Sequence, residues 1–229
     1  MKSPDIFIVV AAYNEEKRIL KAISGLQNFG YRNVIVVNDG SRDRTRELAL
    51  SSGAVVLSHP VNLGQGAALR TGIHYALKAG ADIIVTFDGD GQHQASEISR
   101  LVTPIIDRKA DAVLGSRFIK KGSAVNIPSS RKFFLKAGVI FTRLVSRIRV
   151  TDTHNGFRAL SRRAASRIDI KMNDMTHASE ILDEIHKKKI KFVEVPVTIT
   201  YSEESVMKGQ KTSNALRIFA KMVNKKIFG

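Results

Sequence analysis

Five short apolar runs, separated by stretches of helical spacing, constrain this chain more than any other feature. Asp5 to Ala12, Asn33 to Val37, Ala54 to Leu57, Ile83 to Phe87 and Asp111 to Gly115 each have the length and apolar content of a buried strand. Between them the period is helical: Asn14 to Asn28, with Ile19, Ile23 and Leu26 on one face, then Arg44 to Ser52, Gly66 to Ala79 and Ser96 to Arg108. Such alternation predicts a parallel sheet covered by helices on both faces. Right-handed crossovers then bring the C-terminal ends of the strands to one edge, where open α/β sheets bind ligands.

The runs end on polar clusters. Ala12-Tyr13-Asn14-Glu15-Glu16 is a strand-to-helix junction whose ring and amides suit a base and a polar edge. In Asn38-Asp39-Gly40-Ser41 a carboxylate is placed to accept from a ring N–H or a ribose hydroxyl, and Asn62-Leu63-Gly64-Gln65-Gly66-Ala67-Ala68 is a small-residue turn entering a helix. The fourth cluster, Asp88-Gly89-Asp90-Gly91-Gln92-His93, carries the most chemistry. Residues two apart on an extended strand point the same way, so Asp88 and Asp90 converge. Paired carboxylates suit Mg2+ or Mn2+ shared with a phosphate-bearing substrate. Each cluster alone also reads as capping or turn chemistry; four in chain order, each after a strand, argue for a site. Neither G-x-x-x-x-G-K-[ST] nor G-x-G-x-x-G after the first strand is present.

The texture changes after residue 120. Lys120 to Pro128 is a loop, and Ser129 to Arg149 is basic yet dotted with Phe133, Phe134, Val139, Ile140, Phe141, Leu144 and Ile148. Thr151 to Ser161 reads as loop and strand, Thr176 to Lys189 as a helix, and Phe192 to Tyr201 as an edge strand because it contains Pro196. A polar loop precedes a last helix, Ser213 to about Ile227, with Leu216, Phe219, Val223 and Ile227 set against Arg217, Lys221 and Lys225. Basic amphipathic segments of this kind suit an anionic membrane surface, although most such stripes pack on a core.

Composition narrows the class. The chain has 229 residues and 43% apolar content, enough for one domain with a full core. It has no cysteine, so disulfides, thiol nucleophiles and Cys-based zinc sites are excluded. No secretory signal and no uninterrupted apolar stretch of ~18 residues is present, which leads us to expect a cytoplasmic protein. With 37 Lys+Arg against 21 Asp+Glu, the net charge of +16 calls for an acidic partner. Aromatic residues are only 7% and the basic ones cluster after residue 115, so nucleic acid is the weakest candidate.

Taken together, Val10 to Glu16, Val37 to Ser41, Asn62 to Ala67, Asp88 to His93, Gly115-Ser116-Arg117-Phe118 and Asp152 to Arg158 resemble the family-2 glycosyltransferases with the GT-A fold. The match is to the branch of dolichol-phosphate mannose synthase and polyprenyl-phosphate glycosyltransferases, and it runs from about residue 5 to 215. It implies one GT-A domain over 1–229, a Rossmann-like mostly parallel sheet with C-terminal interfacial helices. Residues 1–118 would be its nucleotide-sugar half and 119–229 its acceptor and membrane half.

Carried over by residue, the resemblance puts Ala12, Tyr13, Glu15, Asp39 and Gly64 against the nucleotide, and Asp88, Asp90 and Gln92 around Mg2+ or Mn2+. It makes Asp90 and Arg117 catalytic, gives Arg131 the acceptor phosphate, and closes Lys211 over the donor diphosphate. The reaction implied is inverting, metal-dependent transfer from GDP-mannose, UDP-glucose or UDP-GlcNAc to dolichyl or polyprenyl phosphate. The implied location is the cytoplasmic membrane face, with a membrane-anchoring partner protein a plausible addition. The competing expectation is a soluble saccharide acceptor, for which Glu180 would be the base candidate, although it and Asp183 read first as an exposed helix face. Departures are Ala11 and Ala12 where relatives often have Pro, and Gln65 where they often have Lys. The absence of Trp excludes the Gln-x-x-Arg-Trp signature of processive synthases.

Overall fold

The computed structural model describes residues 3–120, 124–125, 139, 148–153 and 155–200. Strands β1 (Ile6–Ala12), β2 (Asn33–Asp39), β3 (Val55–His59), β4 (Ile83–Asp88), β5 (Ala112–Ser116), β7 (Arg158–Ser161) and β8 (Phe192–Pro196) form one sheet in the order β3-β2-β1-β4-β7-β5-β8. β6 (Ala124–Val125) and β9 (Ile199–Thr200) form a second, two-stranded parallel sheet. The α-helices whose ends lie among the described residues are α1 (Ile19–Asn28), α2 (Thr45–Ser51), α3 (Gln65–Lys78), α4 (Ile98–Ile106), α5 (Arg162–Ala165) and α6 (His177–Lys187).

Both faces of the sheet are covered, which is why its central strands read as continuous apolar runs. The pleat sorts them: Ile8 and Val10 join Ile23, Leu26 and Leu101 on one side, while Val9, Ile35 and Val37 join Ile73 and Leu182 on the other. Thus α1, α2 and α4 cover one face, and α3, α5 and α6 the other.

Three expectations are corrected. First, not every strand delivers its C-terminal end to the functional edge. β7 runs antiparallel between β4 and β5, with Thr86 opposite Arg158 and Leu114 opposite Arg158. Its N-terminal end therefore meets that edge and brings Asn155 and Gly156 there. Second, α1 begins at Ile19 rather than Asn14, because Asn14 has a left-handed φ of 54° and its side chain accepts from Arg42 N–H at 2.9 Å. Third, the stretch 192–201 is two strands. β8 lies at the sheet edge, as Pro196 implied, and ends there; Thr198 then turns the chain, its N–H donating to Glu97 at 2.7 Å, before β9 begins. Of the basic segment Ser129 to Arg149, Val139 and Ile148 are buried and Arg149 is exposed, and the rest lies outside the described residues, as does the last helix. No helix among the described residues is long and apolar enough to cross a membrane.

Candidate active site

β1 lies between β2 and β4, so the direction in which strands are added reverses at β1/β4. Crevices at such reversals are where open α/β sheets bind ligands. The register sets Ala12 beside Asn38 and Ala11 beside Asp88, so three polar strand ends share one edge. A cavity of about 420 Å³ opens there, reaching from Tyr13, Asp39 and Asn62 to Asp88, Asp90 and Arg117.

The loops at the β2 end are laced together by their own side chains. Asn14 N–H donates to Ser41 Oγ at 3.0 Å, Glu15 N–H to Thr45 Oγ1 at 2.7 Å, and Glu16 N–H to Asp43 Oδ2 at 3.1 Å. Ala12 is buried, Tyr13 is 44% exposed at the cavity mouth, and Glu15 pairs with Arg18 at 2.8 Å. Asp39 is buried and heavily engaged: His59 Nδ1–H donates to Oδ1 at 2.7 Å, Leu63 N–H to Oδ1 at 2.9 Å and Gly64 N–H to Oδ2 at 2.8 Å. His59 Nε2 reaches Thr71 Oγ1 at 2.9 Å.

The glycines of the turn answer a packing demand. Any Cβ at Gly64 would lie 2.3 Å from Asn173 O, and any at Gly66 would lie 2.0 Å from Met172 O, so loop 172–174 rests directly on this backbone. Glu180 holds that loop from below, accepting from Lys171 N–H at 2.9 Å and Met172 N–H at 2.7 Å. It and Asp183 are half-buried rather than on an exposed helix face.

The β4 end is a different environment. Gln65 Nε2 donates to Asp88 Oδ1 at 2.9 Å, so the residue that replaces the family's frequent Lys touches the carboxylate. Asp90 accepts from Gln92 N–H at 3.0 Å and from Gln92 Nε2, which leaves the Gln92 amide oxygen as that side chain's ligand atom. Burial pushes the Asp88 carboxyl up to about 6, against the pull of Arg158, Arg117 and Gln65. Asp90 is raised as well, by burial and then by the Asp88 charge. His93 lies beneath, stacked on Phe157 at 4.7 Å, and burial lowers it to about 4, so its ring is neutral. Its Nδ1 accepts from Asp88 N–H at 3.2 Å, which puts the ring proton on Nε2, 3.5 Å from Asp88 Oδ2.

Arg117 is 6% exposed and forks onto Asp152, with Nε to Oδ2 and Nη2 to Oδ1 both at 2.7 Å. Glu194 on β8 in turn holds that loop, accepting from Thr151 N–H at 2.9 Å and Asp152 N–H at 3.3 Å. Arg158 is buried behind Asp88 and donates to Ala178 O at 3.2 Å; burial lowers its pKa to about 10, within the range that keeps it charged at neutral pH.

Among the described residues no three His, Cys, Asp or Glu side chains gather as a metal cage. Two recessed carboxylates and an amide oxygen nevertheless fit a hard cation that takes its other ligands from water and phosphate. Arg131 and Lys211 lie outside the described residues. Sequence reasoning assigned no role to His59, Asp152, Asn155 or Arg158. Asp152, Asn155 and Arg158 stood inside a quoted motif. His59, at the end of β3, had only its strand-end position to signal it.

An α/β sheet with a carboxylate pair at its switch point is the architecture of the GT-A glycosyltransferases. The glucosyl-3-phosphoglycerate synthase of Mycobacterium tuberculosis, solved with Mn2+ and UDP-glucose, superposes over 99% of this chain and 80% of that one, with a TM-score of 0.69 at 22% identity. Residues 7–169 match the glycosyl transferase family 2 model, and the chain belongs to that family. It is 33% identical to the UDP-N-acetylglucosamine–dolichyl-phosphate N-acetylglucosaminyltransferase of Methanococcus voltae, over 95% of this chain and 94% of that protein. It is 31% identical to the undecaprenyl-phosphate mannosyltransferase of Micrococcus luteus, over 89% and 88%. The protein is therefore a glycosyltransferase of family 2 whose relatives act on dolichyl and polyprenyl phosphates.

Proposed function

We propose that this enzyme transfers a sugar from a UDP- or GDP-sugar to dolichyl or polyprenyl phosphate at the cytoplasmic membrane face, with inversion and with Mg2+ or Mn2+. One observation favours this acceptor: every carboxylate or imidazole described around the cavity is already hydrogen-bonded within the protein or set aside for the cation, so none stands apart as a dedicated general base. Glu15 is paired with Arg18, Asp39 with His59 and two amides, Asp88 with Gln65, Asp90 with Gln92, and the His93 Nδ1 lone pair with Asp88 N–H. A saccharide hydroxyl needs such a base. A lipid phosphate does not, because its oxygen is already anionic near neutral pH.

On this reading Tyr13, Glu15, Asp39 and the backbone at Ala12 and Gly64 hold the nucleotide. Asp88, Asp90 and Gln92 hold the cation, which supplies positive charge to the departing diphosphate when bound. Arg117, kept in place by Asp152, and Lys211 add to that stabilisation. The acceptor phosphate oxygen forms a bond to the anomeric carbon as the bond from that carbon to the diphosphate oxygen breaks, and the electron pair leaves with the nucleoside diphosphate. Arg131 steadies the acceptor phosphate. The basic residues of the second half are the ones that would meet the membrane, where each Lys or Arg near an anionic surface contributes about 1 kcal/mol of attraction. A separate membrane-anchoring protein would lengthen the stay.

The test is transfer of radiolabelled sugar from UDP-glucose, UDP-GlcNAc and GDP-mannose to polyprenyl phosphate in vesicles, and to soluble saccharides, with Mn2+ present. We expect lipid-phosphate product only, and an Arg131→Ala variant whose acceptor KM rises roughly tenfold or more while its donor KM holds. Product on soluble saccharides alone would overturn the lipid acceptor.

A further inference from the structure

Asn155 stands apart from the other polar groups of the cavity. It is 4% exposed and lines the cavity wall. Among the described residues its Nδ2 is the buried side-chain polar atom left without a hydrogen-bond partner. Oδ1 accepts from Phe157 N–H at 3.0 Å. A backbone N–H only donates, so this bond fixes which end of the amide is oxygen and leaves Nδ2 as the donor. The segment is rigidly placed, with Gly115 N–H donating to Phe157 O at 2.9 Å and Thr86 Oγ1 to Gly156 O. It also lies hard against the carboxylate end: any Cβ at Gly156 would be 3.0 Å from Asp88 Oδ2 and 3.1 Å from Oδ1.

Folded proteins leave few buried donors unanswered, because stripping water from an N–H without replacing it is costly. A donor on a cavity wall is answered when the cavity fills. We propose that Asn155 Nδ2 donates to a hydroxyl oxygen of the sugar carried by the donor, and so helps select that sugar; this rests on the reading of the cavity as a nucleotide-sugar site. The neighbourhood favours a hydroxyl over a phosphate. A hydroxyl accepts from Nδ2 and gives its own proton to a carboxylate such as Asp88, which as an anion only accepts. A phosphate oxygen has no proton to give and would answer the amide alone.

Calorimetric titration with Mn2+ tests this, using UDP-glucose, UDP-GlcNAc and GDP-mannose beside UDP and GDP. Asn155→Ala should weaken the nucleotide-sugar that the wild type binds by roughly tenfold, and the matching diphosphate by less than about twofold. Asn155→Ser offers a hydroxyl oxygen to Phe157 N–H two residues on without adding a charge, so its ligand-free melting temperature should fall less than that of Ala while it loses the nucleotide-sugar as Ala does. An equal loss for nucleotide-sugar and diphosphate assigns the contact to phosphate and overturns the sugar contact. No loss for either means that water satisfies the amide, which overturns it too. A wild type that binds none of these ligands removes the underlying reading, and is recognised without any variant.

Discussion

The two ends of the cavity are built on opposite terms. At the β2 end the protein answers its own polar groups: Asp39 is met by His59, Leu63 and Gly64, and the loops on either side exchange three backbone-to-side-chain bonds. At the β4 end it does so only in part. Two carboxylates have pKa values raised first by burial, and the Asn155 amide on the cavity wall has a donor without a partner. The first end is preorganised and gains little stability from a ligand. The second is a reservoir of unfavourable electrostatics that a cation and a polar ligand would relieve. Sites that bind charge are expected to be locally unfavourable when empty, at a cost the surrounding core offsets.

The largest expected effect breaks the β4 end. Asp90→Ala should lower turnover by roughly 100- to 1,000-fold or more, as expected when a main source of charge stabilisation is lost. It should weaken nucleotide-sugar binding only when Mn2+ is present. Wild-type activity that is the same in EDTA as in Mn2+ would remove the cation from this end. Next in size is Asp152→Ala. It leaves the Arg117 guanidinium buried without its forked partner, a change that costs about 3–5 kcal/mol. Urea titration should show the loss of stability, and Asp152→Asn, which keeps one acceptor, should lose less. Equal stability of Asp152→Ala and wild type would mean that water reaches Arg117 and that it is not held as described.

This contrast also marks how far the sequence could be read. The strands of the first half and the shared edge followed from hydrophobic period and crossover handedness, which are local or general rules. The alternation expected to make Asp88 and Asp90 converge does not apply, because β4 ends at Asp88 and Asp90 lies in the turn beyond it, although both line the cavity. β7 escaped those rules. Four residues after a polar loop carry almost no periodic signal, and their direction is set by which neighbours they pair with, here β4 and β5 at once. With β7 went Asn155 and Arg158, whose places at the site depend on that reversal. His59 escaped for a related reason: its partner Asp39 is 20 residues away, and the register of β2 with β3 joins them. Gly64 and Gly66 were legible as a turn, but not as the surface on which loop 172–174 rests, since no rule of spacing connects positions so far apart.

The β2 end offers a smaller test. If His59 sets the direction of the Asp39 carboxylate that meets the nucleotide, His59→Ala should raise the donor KM by roughly five- to tenfold, the size of one charge-assisted hydrogen bond. It should leave kcat and the acceptor KM near wild type. His59→Asn, which can still offer an N–H to Asp39, should recover part of the loss. A variant whose kcat falls while its donor KM is unchanged would move His59 from positioning the nucleotide to the chemistry of transfer.

The smallest effect sharpens the comparison most directly, because it reads the unfavourable charge of the β4 end as stability. In the ligand-free protein the Asp88 carboxyl titrates at about 6, raised by burial and by Glu15 against the pull of Arg158, Arg117 and Gln65. In the unfolded chain it titrates near ~4. The folded state holds the proton more tightly, so the ionised group destabilises the fold. That penalty is fully present above about pH 6 and fades as the pH falls towards ~4, the reverse of a salt-bridged carboxylate. Asp88→Asn removes the charge and keeps an oxygen for Gln65. In EDTA at pH 8 the variant should be more stable than wild type by on the order of 1 kcal/mol. The difference should shrink to nothing by about pH 4, where both side chains are neutral. Adding Mn2+ and a nucleoside diphosphate should reverse the order at pH 8, since the wild type gains a ligand that the variant cannot hold. A variant less stable than wild type in EDTA at pH 8 would show that Asp88 supports the fold as a charge, and the two ends of the cavity would then be built alike.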